Sequence, residues 1–430
     1  MIEKSDYPVL AQADVVICGG GPAGIGAAVA AARNGNEVLL LEQAGALGGM
    51  GTLGLVPSII HTSDGVNLTA DGVCREVVDE LSRRMGQDKP NYYWQNVDPE
   101  MLKVIYDEMA EAAGIKVIFE AKIGEVIRRG ARIESVLVAT ARGLKQVRGK
   151  VWVDATGNGA VAAFAGVPFD LGDEQGRTMS PSLCVQYANV DYSRVTGNGH
   201  DEWLKLMAEG KAPLPEYHFV GFFRTGKTTG SGNLGHIYGI NGTDEIEISH
   251  GYREGRRIAK IIFDFYRAHV PGFENAELVN TASLLSVRET RRIKGDYQLN
   301  LEDYRKRAVF DDEVGRFSYP VDIHSSSTDP AEQKKVETVI RATFYRPGEN
   351  YGIPYRALRP VGVDNLLVAG RAISADRAIQ SSIRVMPGCF VTGQACGVAA
   401  GLSLKTGDIR KVKMNELQSG LKKIGAYLRG

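Results

Sequence analysis

The sequence predicts an α/β fold in which a parallel sheet is interrupted by a second, β-rich block. Three observations predict this class: a strand–helix–strand pattern near the N-terminus, irregular β-rich segments in the middle, and a return to strand and helix patterns after about residue 350. The 430 residues suffice for two or three domains.

The first unit spans residues 13–42 and combines two apolar runs with one alanine-rich segment. Asp14–Cys18 is typical of a buried strand, Ile25–Asn34 predicts a helix, and Glu37–Leu41 predicts the next strand. Gly35 stands where a glycine is expected to end a helix. The length and order fit one crossover between two parallel strands.

A glycine-rich loop joins the first strand to this helix. Gly19, Gly21 and Gly24 match the spacing G-x-G-x-x-G, in which the glycines allow a tight turn, the approach of a pyrophosphate and close helix–strand packing. The helix N-terminus adds N–H groups and a favourable dipole. Glu42 ends the second strand, where it is placed to accept a hydrogen bond from a ribose hydroxyl. The loop predicts a dinucleotide site without choosing between FAD and NAD.

Two later segments favour FAD. Val151–Gly157 is a strand that runs into Asp-Ala-Thr-Gly, and Asn365–Arg371 is a strand that ends in a glycine and a polar residue. Both resemble FAD-contacting motifs of glutathione-reductase-like flavoproteins. Pro387-Gly388 then begins a helix whose N-terminus would stabilise negative charge on a reduced flavin. Because no second G-x-G-x-x-G follows a strand, we expect no separate NAD(P)H-binding domain.

These motifs define the expected cofactor site. The glycine run at residues 48–52 would let the chain wrap the pyrophosphate, although a flexible loop has the same composition. No histidine or cysteine marks a covalent attachment, so we expect FAD to bind noncovalently. The residues expected to contact FAD are Gly19, Gly21, Pro22, Ala23, Gly24, Glu42, Gln43, Gly48, Gly49, Met50, Ile123, Ala155, Thr156, Gly157, Gly370, Arg371, Pro387 and Gly388.

Four further segments resemble a signature of the bacterial FAD-dependent oxidoreductase family: Arg288–Tyr297, Asp322-x-His324, Ile353–Arg356 and Ser382–Pro387. The resemblance covers nearly the whole chain. It implies a Rossmann-type, glutathione-reductase-like FAD-binding domain with an inserted β-rich substrate domain. It also implies a relation to the flavin portion of heterodisulfide reductase A subunits, which carry Fe–S clusters.

The cysteines do not support such a cluster in this chain. They form no CxxC pair and no metal-ligand spacing. We therefore expect no metal site, and we interpret as free buried thiols Cys18, Cys74, Cys184, Cys389 and Cys396.

The remaining patterns divide the chain into three parts. Helices are predicted at Asn67–Arg84 and Asp98–Ala113, and an antiparallel meander is predicted from four β-rich runs: Ile115–Glu120, Ile123–Arg128, Ile133–Ala139 and Gln146–Val153. The later patterns are strand-like runs at Leu183–Val190 and Tyr217–Phe223, a helix at Tyr252–His269, a strand at Asn365–Ala369 and a helix at Pro387–Leu404. We therefore expect the FAD-binding domain in residues 1–168 and 346–430 and the inserted substrate domain in residues 169–345.

Several polar residues are candidates for chemistry. Arg288, Arg291 and Arg292 stand at i, i+3 and i+4 and would share one face if the segment is helical. They form either an anion site or a structural ion-pair network. His324 is a candidate acid or base. The expected catalytic residues are His324, Arg288, Tyr355 and Arg384, with Arg356 beside Tyr355 and with Arg384 holding a substrate anion or a flavin carbonyl. No role is assigned to His61, His218, His236 and His250.

The function expected from these residues is hydride transfer between a small hydroxylated or carboxylated metabolite and flavin N5. The alternative is an FAD-holding component that passes electrons to a protein partner without turnover of its own. The 51 basic and 51 acidic residues argue against a nucleic-acid partner, and no apolar run reaches the about 18 residues of a membrane span. We expect a cytoplasmic enzyme with a small-molecule substrate and an unidentified electron acceptor, and we leave a homo-oligomer open.

Overall fold

The structure is a computed structural model that describes residues 7–216, 221–233 and 235–429. In these ranges the strands are β1 (Val9–Cys18), β2 (Val38–Leu41), β3 (Ser58–Ile60), β4 (Trp94–Asn96), β5 (Lys116–Ile118), β6 (Lys122–Arg129), β7 (Arg132–Thr140), β8 (Gly143–Asp154), β9 (Phe169–Leu171), β10 (Val185–Ala188), β11 (Phe222–Arg224), β12 (Gly230–Gly232), β13 (Glu277–Thr281), β14 (Arg291–Ile293), β15 (Glu313–Phe317), β16 (Tyr351–Pro354) and β17 (Leu366–Val368).

The α-helices in the same ranges are α1 (Pro22–Arg33), α2 (Val73–Arg84), α3 (Pro99–Ala112), α4 (Ala160–Phe164), α5 (His200–Ala208), α6 (Glu245–His269), α7 (Leu301–Lys306), α8 (Pro330–Ala342), α9 (Arg377–Ile383), α10 (Met386–Ser403) and α11 (Met414–Lys423). The predicted α/β class is confirmed.

The main sheet has a parallel part with strand order β5–β2–β1–β8–β17. The long strand β8 has two neighbours on one side, because its first half pairs with β7 and Trp152–Asp154 pair with β17. Strands β6, β7 and β8 form the predicted antiparallel meander. The carboxyl ends of β1, β2, β8 and β17 meet at one edge, where open α/β sheets bind their ligands.

Helices α1 and α10 pack side by side on one face of this sheet. A Cβ atom at Gly393 would lie 2.1 Å from the carbonyl oxygen of Ala23, and one at Gly397 would lie 2.2 Å from that of Ala27. Only glycine allows this backbone-to-backbone contact. The pairing also shows that the two helices run parallel, so their N-termini lie together at the ligand-binding edge.

Two predictions about the N-terminal half need correction. The predicted helix at Asn67–Arg84 begins only at Val73, because the Asp64 carboxylate binds the backbone N–H groups of Val66 and Asn67 in a turn, at 2.9 and 2.6 Å. The run at Ile115–Glu120 is not part of the meander. It supplies β5, which pairs in parallel with β2, since α3 carries the chain back along the sheet before it.

The helix predicted from Asp98 is confirmed as α3. The Asp98 carboxylate accepts hydrogen bonds from the N–H groups of Glu100 and Met101, at 3.0 and 3.1 Å, which caps the helix. The helix predicted at Tyr252–His269 is also confirmed, although α6 begins earlier, at Glu245, where Asp244 caps it.

A second, antiparallel sheet has the strand order β11–β12–β10–β13. The run predicted at Leu183–Val190 supplies β10, and the run at Tyr217–Phe223 overlaps β11, although residues 217–220 lie outside the described residues. Tyr187, Trp203 and Tyr266 form part of the core that this sheet shares with α5 and α6. The domain limits expected from the sequence stay a prediction.

Each sheet buries some residues from the part of the chain that mainly forms the other sheet. Leu55, from the first quarter of the chain, is buried in the core of the second sheet, whereas Leu299, Val314 and Phe317 belong to the core of the main sheet. Among the described residues, no single helix is long and apolar enough to cross a membrane, while one pair, α9 with α10, passes by length and composition but is bent by 93°.

Candidate cofactor and catalytic site

The glycine-rich loop leaves open space at one of its three glycines. A Cβ atom would lie 2.4 Å from the carbonyl oxygen of Ala155 if added to Gly19, and 1.8 Å from that of Gly19 if added to Gly24. A Cβ at Gly21 would meet nothing within 4 Å. Protein packing therefore requires the outer two glycines, whereas the middle one borders the space that the sequence assigns to a pyrophosphate.

Glu42 lies buried beside this loop, with 7% of its surface exposed. Its carboxylate accepts hydrogen bonds from the backbone N–H groups of Gly20, at 2.6 Å, and Ala44, at 2.7 Å. Burial raises the pKa of Glu42, and the backbone hydrogen bonds oppose that rise. The predicted ribose contact stays a prediction, but the carboxylate is held at the position where that contact requires it.

Two further expected contacts flank this carboxylate. Gln43 is exposed directly after Glu42. Ile123 is partly buried near the start of β6, two residues beyond Ala121, whose N–H donates to the Glu42 carbonyl oxygen at 2.9 Å. Both therefore lie at the ligand-binding edge of the sheet.

The glycine run at residues 48–52 lies against the glycine-rich loop at residues 19–24. The N–H of Gly48 donates to the carbonyl oxygen of Gly20 at 2.8 Å, and a Cβ at Gly49 would lie 3.2 Å from the Cα of Gly21. Met50 lies in the short 3-10 turn that follows. The run is tied to the dinucleotide loop, as expected for a segment that wraps a pyrophosphate.

Arg371 links the two FAD-contacting segments predicted at Val151–Gly157 and Asn365–Arg371. Gly370 has a φ of 76° and donates its N–H to Thr392 Oγ1 on α10, at 2.9 Å. The Arg371 side chain donates to the carbonyl oxygen of Gly157 at 2.6 Å and to Asn158 Oδ1 at 2.7 Å. Burial lowers the pKa of Arg371 to about 10. These contacts make Arg371 a cross-link between the two motifs.

The other expected contacts lie at the same edge. Ala155 is buried just beyond β8, and Thr156 donates through its N–H and its hydroxyl to Asp154 Oδ1, at 3.1 and 2.7 Å. Pro387 and Gly388 form the first turn of α10.

The protein groups at this edge fit a dinucleotide. Pro22 and Ala23 form the first turn of α1, beside the first turn of α10. Two helix N-termini, an open glycine and a buried carboxylate are thus brought together, and each is a group that phosphates or ribose hydroxyls bind.

A chain of four polar side chains lies near the start of α10. His324 Nδ1 is 2.7 Å from His236 Nε2, and His236 Nδ1 is 3.0 Å from both carboxylate oxygens of Glu216. On the other side, His324 Nε2 is 3.4 Å from Asp322 Oδ1. We call Glu216, His236, His324 and Asp322 the histidine array. All four side chains are largely buried.

Arg384 connects the array to α10. Its guanidinium donates to Asp322 Oδ2 at 2.8 Å, and its carbonyl oxygen accepts from the thiol of Cys389 in α10, at 3.2 Å. Burial lowers the pKa of His324 well below its ordinary value, Arg288 lowers it further, and Asp322 opposes these effects. The imidazole is therefore neutral near pH 7.

Arg288 lies buried beside the array, with 6% of its surface exposed. It donates to the carbonyl oxygen of Ser180 at 2.6 Å and to Ser182 Oγ at 3.0 Å, both of which are neutral partners. Burial, and after it the charge of Arg384, lowers the pKa of Arg288 to about 10, and Asp322 opposes them. Arg288 therefore places positive charge beside His324, and Arg384 places it beside Asp322.

The other two arginines of this segment, Arg291 and Arg292, bond to groups of the protein outside the histidine array. Arg291 begins the strand β14, so the three arginines do not share a helical face and that interpretation is wrong. Arg292 forms an ion pair with Glu289, which is fully buried and also pairs with Arg377 at 3.0 Å. For Arg292 the alternative of a structural ion-pair network is therefore correct. Arg291 donates to the carbonyl oxygen of Asn158 at 3.2 Å.

Comparison with known proteins decides the family. The profile of the family described as FAD dependent oxidoreductase matches residues 14–421, which is nearly the whole chain. The chain belongs to this family. The protein is therefore an enzyme with FAD as its cofactor. A search of curated protein sequences finds no significant match.

Solved structures similar to this FAD-dependent oxidoreductase cover 96% of its chain. A geranylgeranyl bacteriochlorophyll reductase-like protein from Thermoplasma acidophilum shares 13% identity over 83% of its own chain, with a TM-score of 0.47. The flavin-dependent brominase Bmp2 shares 14% over 85%, with a TM-score of 0.49. The p-nitrophenol 4-monooxygenase PnpA from Pseudomonas putida shares 13% over 84%, with a TM-score of 0.48.

The structure of this FAD-dependent oxidoreductase brings together three of the four expected catalytic residues, namely His324, Arg288 and Arg384. Tyr355 lies elsewhere: its hydroxyl donates to the carbonyl oxygen of Ile409 at 2.9 Å, and its ring faces the guanidinium of Arg359. Its catalytic role stays a prediction without a contact that supports it.

Sequence reasoning did not find His236 and Glu216. They are 20 residues apart, and His236 is 88 residues from His324, so no local motif joins them. The only signal was the motif Asp322-x-His324, which gave one half of the array. His61, to which the sequence assigns no role, has its ring 5.0 Å from that of Tyr319. His250 is exposed, and His218 lies outside the described residues.

Proposed function

We propose that this enzyme transfers a hydride between a small hydroxylated and carboxylated metabolite and N5 of bound FAD, with His324 handling the proton. The observation that carries the proposal is a buried, neutral imidazole, 2.7 Å from a second one, beside the helix N-terminus at which the flavin is expected. We also propose that the main sheet is a Rossmann-type, glutathione-reductase-like FAD-binding domain and that the second sheet belongs to an inserted substrate domain.

The chain's own groups would hold the cofactor at three places. The loop around Gly21 and the first turn of α1 would hold the pyrophosphate, Glu42 would hold the ribose, and the first turn of α10 would face the flavin ring. Bound FAD would supply the hydride acceptor or donor. The protein contributes binding, orientation and proton transfer.

Oxidation of a hydroxyl group releases a proton together with the hydride. The His236–His324 pair would accept this proton. The positive charge that results would lie between the carboxylates of Glu216 and Asp322, of which Asp322 Oδ1 is 3.4 Å from His324 Nε2. In the reverse reaction the same pair would return the proton to a carbonyl oxygen.

The two arginines favour an anionic substrate. Arg288 hydrogen-bonds the neutral groups of Ser180 and Ser182, and the carboxylates of Asp322 and Glu216 act on its charge without such a bond among those described above. Its guanidinium would therefore attract a substrate carboxylate. Arg384 is partly neutralised by Asp322. We therefore propose a carboxylate on the substrate in addition to the hydroxyl that is oxidised. The electron acceptor stays unidentified.

The proposal is tested by anaerobic reduction of the purified, FAD-loaded enzyme with a panel of hydroxy acids and of their neutral ester analogues. We expect one or more acids to bleach the flavin absorption and the matching esters to do so at least about 10-fold more slowly, because Arg288 lacks an anion to bind. His324→Gln should slow bleaching by about 100-fold or more at unchanged FAD content. The exposed His250→Gln is the matched control. Equal rates for His324→Gln and the parent would refute the assignment of His324.

A further inference from the structure

An open cavity of about 550 Å³ lies outside both the cofactor site and the histidine array. Among the described residues, none that lines this cavity belongs to either of those sites. It is where the structure places Tyr355 and Arg356, the end of the segment Ile353–Arg356, which the proposed function leaves without a role. Its volume is within the range of about 300–1,000 Å³ that small-molecule sites have. We call it the Arg356 cavity.

Arg356 forms one wall with a guanidinium whose orientation is fixed. Its Nε donates to Asp312 Oδ2 at 2.9 Å, and its guanidinium carbon lies 5.1 Å from the centroid of the Tyr297 ring. Neither of its terminal nitrogens has a hydrogen-bond partner among the described residues, and 43% of the side chain is exposed. Two terminal NH₂ groups are therefore available for an anionic ligand group.

Arg359 has a similar arrangement. Its Nε lies 3.0 Å from Asp296 Oδ2, and its guanidinium carbon lies 5.3 Å from the centroid of the Tyr355 ring. The ion pair with Asp296 does not have the direction of a hydrogen bond, so Arg359 Nε is buried without a hydrogen-bond partner. Arg410 donates to the other oxygen of Asp296 at 3.1 Å, and Asp364 is 4.0 Å from Arg410. Two guanidinium groups thus share one close carboxylate.

Two carboxylates give the same cavity the opposite charge. Asp311 is exposed, and its carboxylate has no hydrogen bond or ion pair with a described residue. The bond to Asp312 is the main cause that raises the pKa of Arg356, and the charge of Asp311 adds to it. Asp312 Oδ1 is buried without a hydrogen-bond partner, like Arg359 Nε. Because buried polar atoms ordinarily have a partner, these two indicate one that the described chain does not supply.

Apolar side chains complete the lining. They are Val309, Phe310, Val412 and Met414. Val309 is 58% exposed, and the ring of Phe310 packs edge-on against that of Tyr297, with 5.6 Å between their centroids. Apolar walls with a few charged groups are typical of sites that bind a small molecule with an apolar part.

The charges of the lining select the class of ligand. An anion alone would meet the carboxylates of Asp311 and Asp312, and a cation alone would meet three guanidinium groups. A molecule that carries both charges complements both. We propose that the Arg356 cavity binds a zwitterion with an apolar side chain, an amino acid or a short peptide, whose carboxylate is held by Arg356 and Arg359 and whose ammonium group lies at Asp311. This site does not depend on the proposed hydride transfer.

Isothermal titration calorimetry of the FAD-loaded enzyme tests the class of ligand. The probes are L-phenylalanine and the dipeptide of two phenylalanines, which distinguish an amino-acid site from a peptide site. We expect one of them to bind, and its N-acetyl and C-terminal amide derivatives to bind at least about 10-fold more weakly, because each derivative lacks one charge. Binding of neither probe, or equal binding of the probe and either derivative, would overturn the proposal.

Two substitutions of exposed residues locate the binding. Arg356→Gln and Asp311→Asn should each raise the Kd of the zwitterion at least about 10-fold. Arg356→Gln should also remove most of the difference between the zwitterion and its amide, and Asp311→Asn most of the difference between the zwitterion and its N-acetyl derivative.

The matched controls are Arg305→Gln and Asp88→Asn, which remove the same charges from exposed side chains that do not line the cavity. We expect both controls to bind the zwitterion like the parent. The FAD absorption of every variant checks that the protein is folded. Unchanged Kd values in both Arg356→Gln and Asp311→Asn would mean that the ligand binds elsewhere, which would refute the proposed site.

Discussion

His236 Nε2 lies 2.7 Å from His324 Nδ1, although 88 residues separate the two in the chain. His236 lies in a segment that packs beside the second sheet. His324 follows β15, which contributes to the core of the main sheet. The contact therefore depends on the correct relative placement of both sheets. A displacement of either sheet would lengthen and weaken this hydrogen bond.

Glu42 is the first residue whose role can be tested by FAD affinity. Glu42→Ala removes a carboxylate that accepts two backbone hydrogen bonds and is expected to accept a third from ribose. Hydrogen bonds to charged groups contribute about 1.5–3 kcal/mol, so we expect the Kd for FAD to rise about 10- to 100-fold. Equilibrium titration of the apoprotein measures it. The exposed Glu37→Ala is the control, and an unchanged Kd in Glu42→Ala would exclude the ribose assignment.

The glycine-rich loop offers a pair of substitutions with opposite expected effects. Gly24→Ala would force a Cβ to within 1.8 Å of the Gly19 carbonyl oxygen, so we expect the free energy of unfolding of the apoprotein to fall by about 3 kcal/mol or more. The added methyl group of Gly21→Ala meets open space, and φ there is an ordinary −72°. We therefore expect the free energy of unfolding of this variant to stay within about 0.5 kcal/mol of that of the parent.

The FAD affinities of the same pair complete the test. We expect Gly21→Ala to weaken FAD binding by about 10-fold or more, because its methyl group would occupy the space assigned to the pyrophosphate. Denaturant unfolding and FAD titration together separate the two effects. If Gly21→Ala bound FAD like the parent, the pyrophosphate would have to lie elsewhere.

The sequence predicted those parts of the site that depend on local geometry. Gly19, Gly24 and Glu42 act within one strand–helix–strand unit, so their spacing along the chain reports their arrangement in space. The histidine array depends on contacts between distant segments, and no spacing can report these. The arginine segment shows the same limit. The i, i+3 and i+4 spacing of Arg288, Arg291 and Arg292 would give one shared face only in a helix, whereas pairing with β9 makes Arg291 and Arg292 part of a strand.

The last prediction concerns His61 and the fall in the free energy of unfolding between pH 6.5 and 4. His61 is buried against the rings of Tyr93 and Tyr319, and burial lowers its pKa from 6.5 to about 4. Between these two pH values the unfolded chain binds a proton at this position that the folded protein does not. The stabilisation from a neutral His61 is therefore complete above pH 6.5 and is lost as the pH falls towards 4.

The shift corresponds to about 3 kcal/mol, which is large against the stability of a typical domain. His61→Asn removes the titrating group, and asparagine tolerates the φ of 59° at this position. We expect its free energy of unfolding to fall less steeply between pH 6.5 and 4 than that of the parent, by up to about 1.4 kcal/mol per pH unit. Denaturant unfolding at a series of pH values measures both slopes. His250→Asn, at an exposed position, controls for the loss of a histidine as such. Parallel slopes for parent and His61→Asn would mean that His61 titrates alike in the folded and unfolded chains and that its burial carries no electrostatic cost.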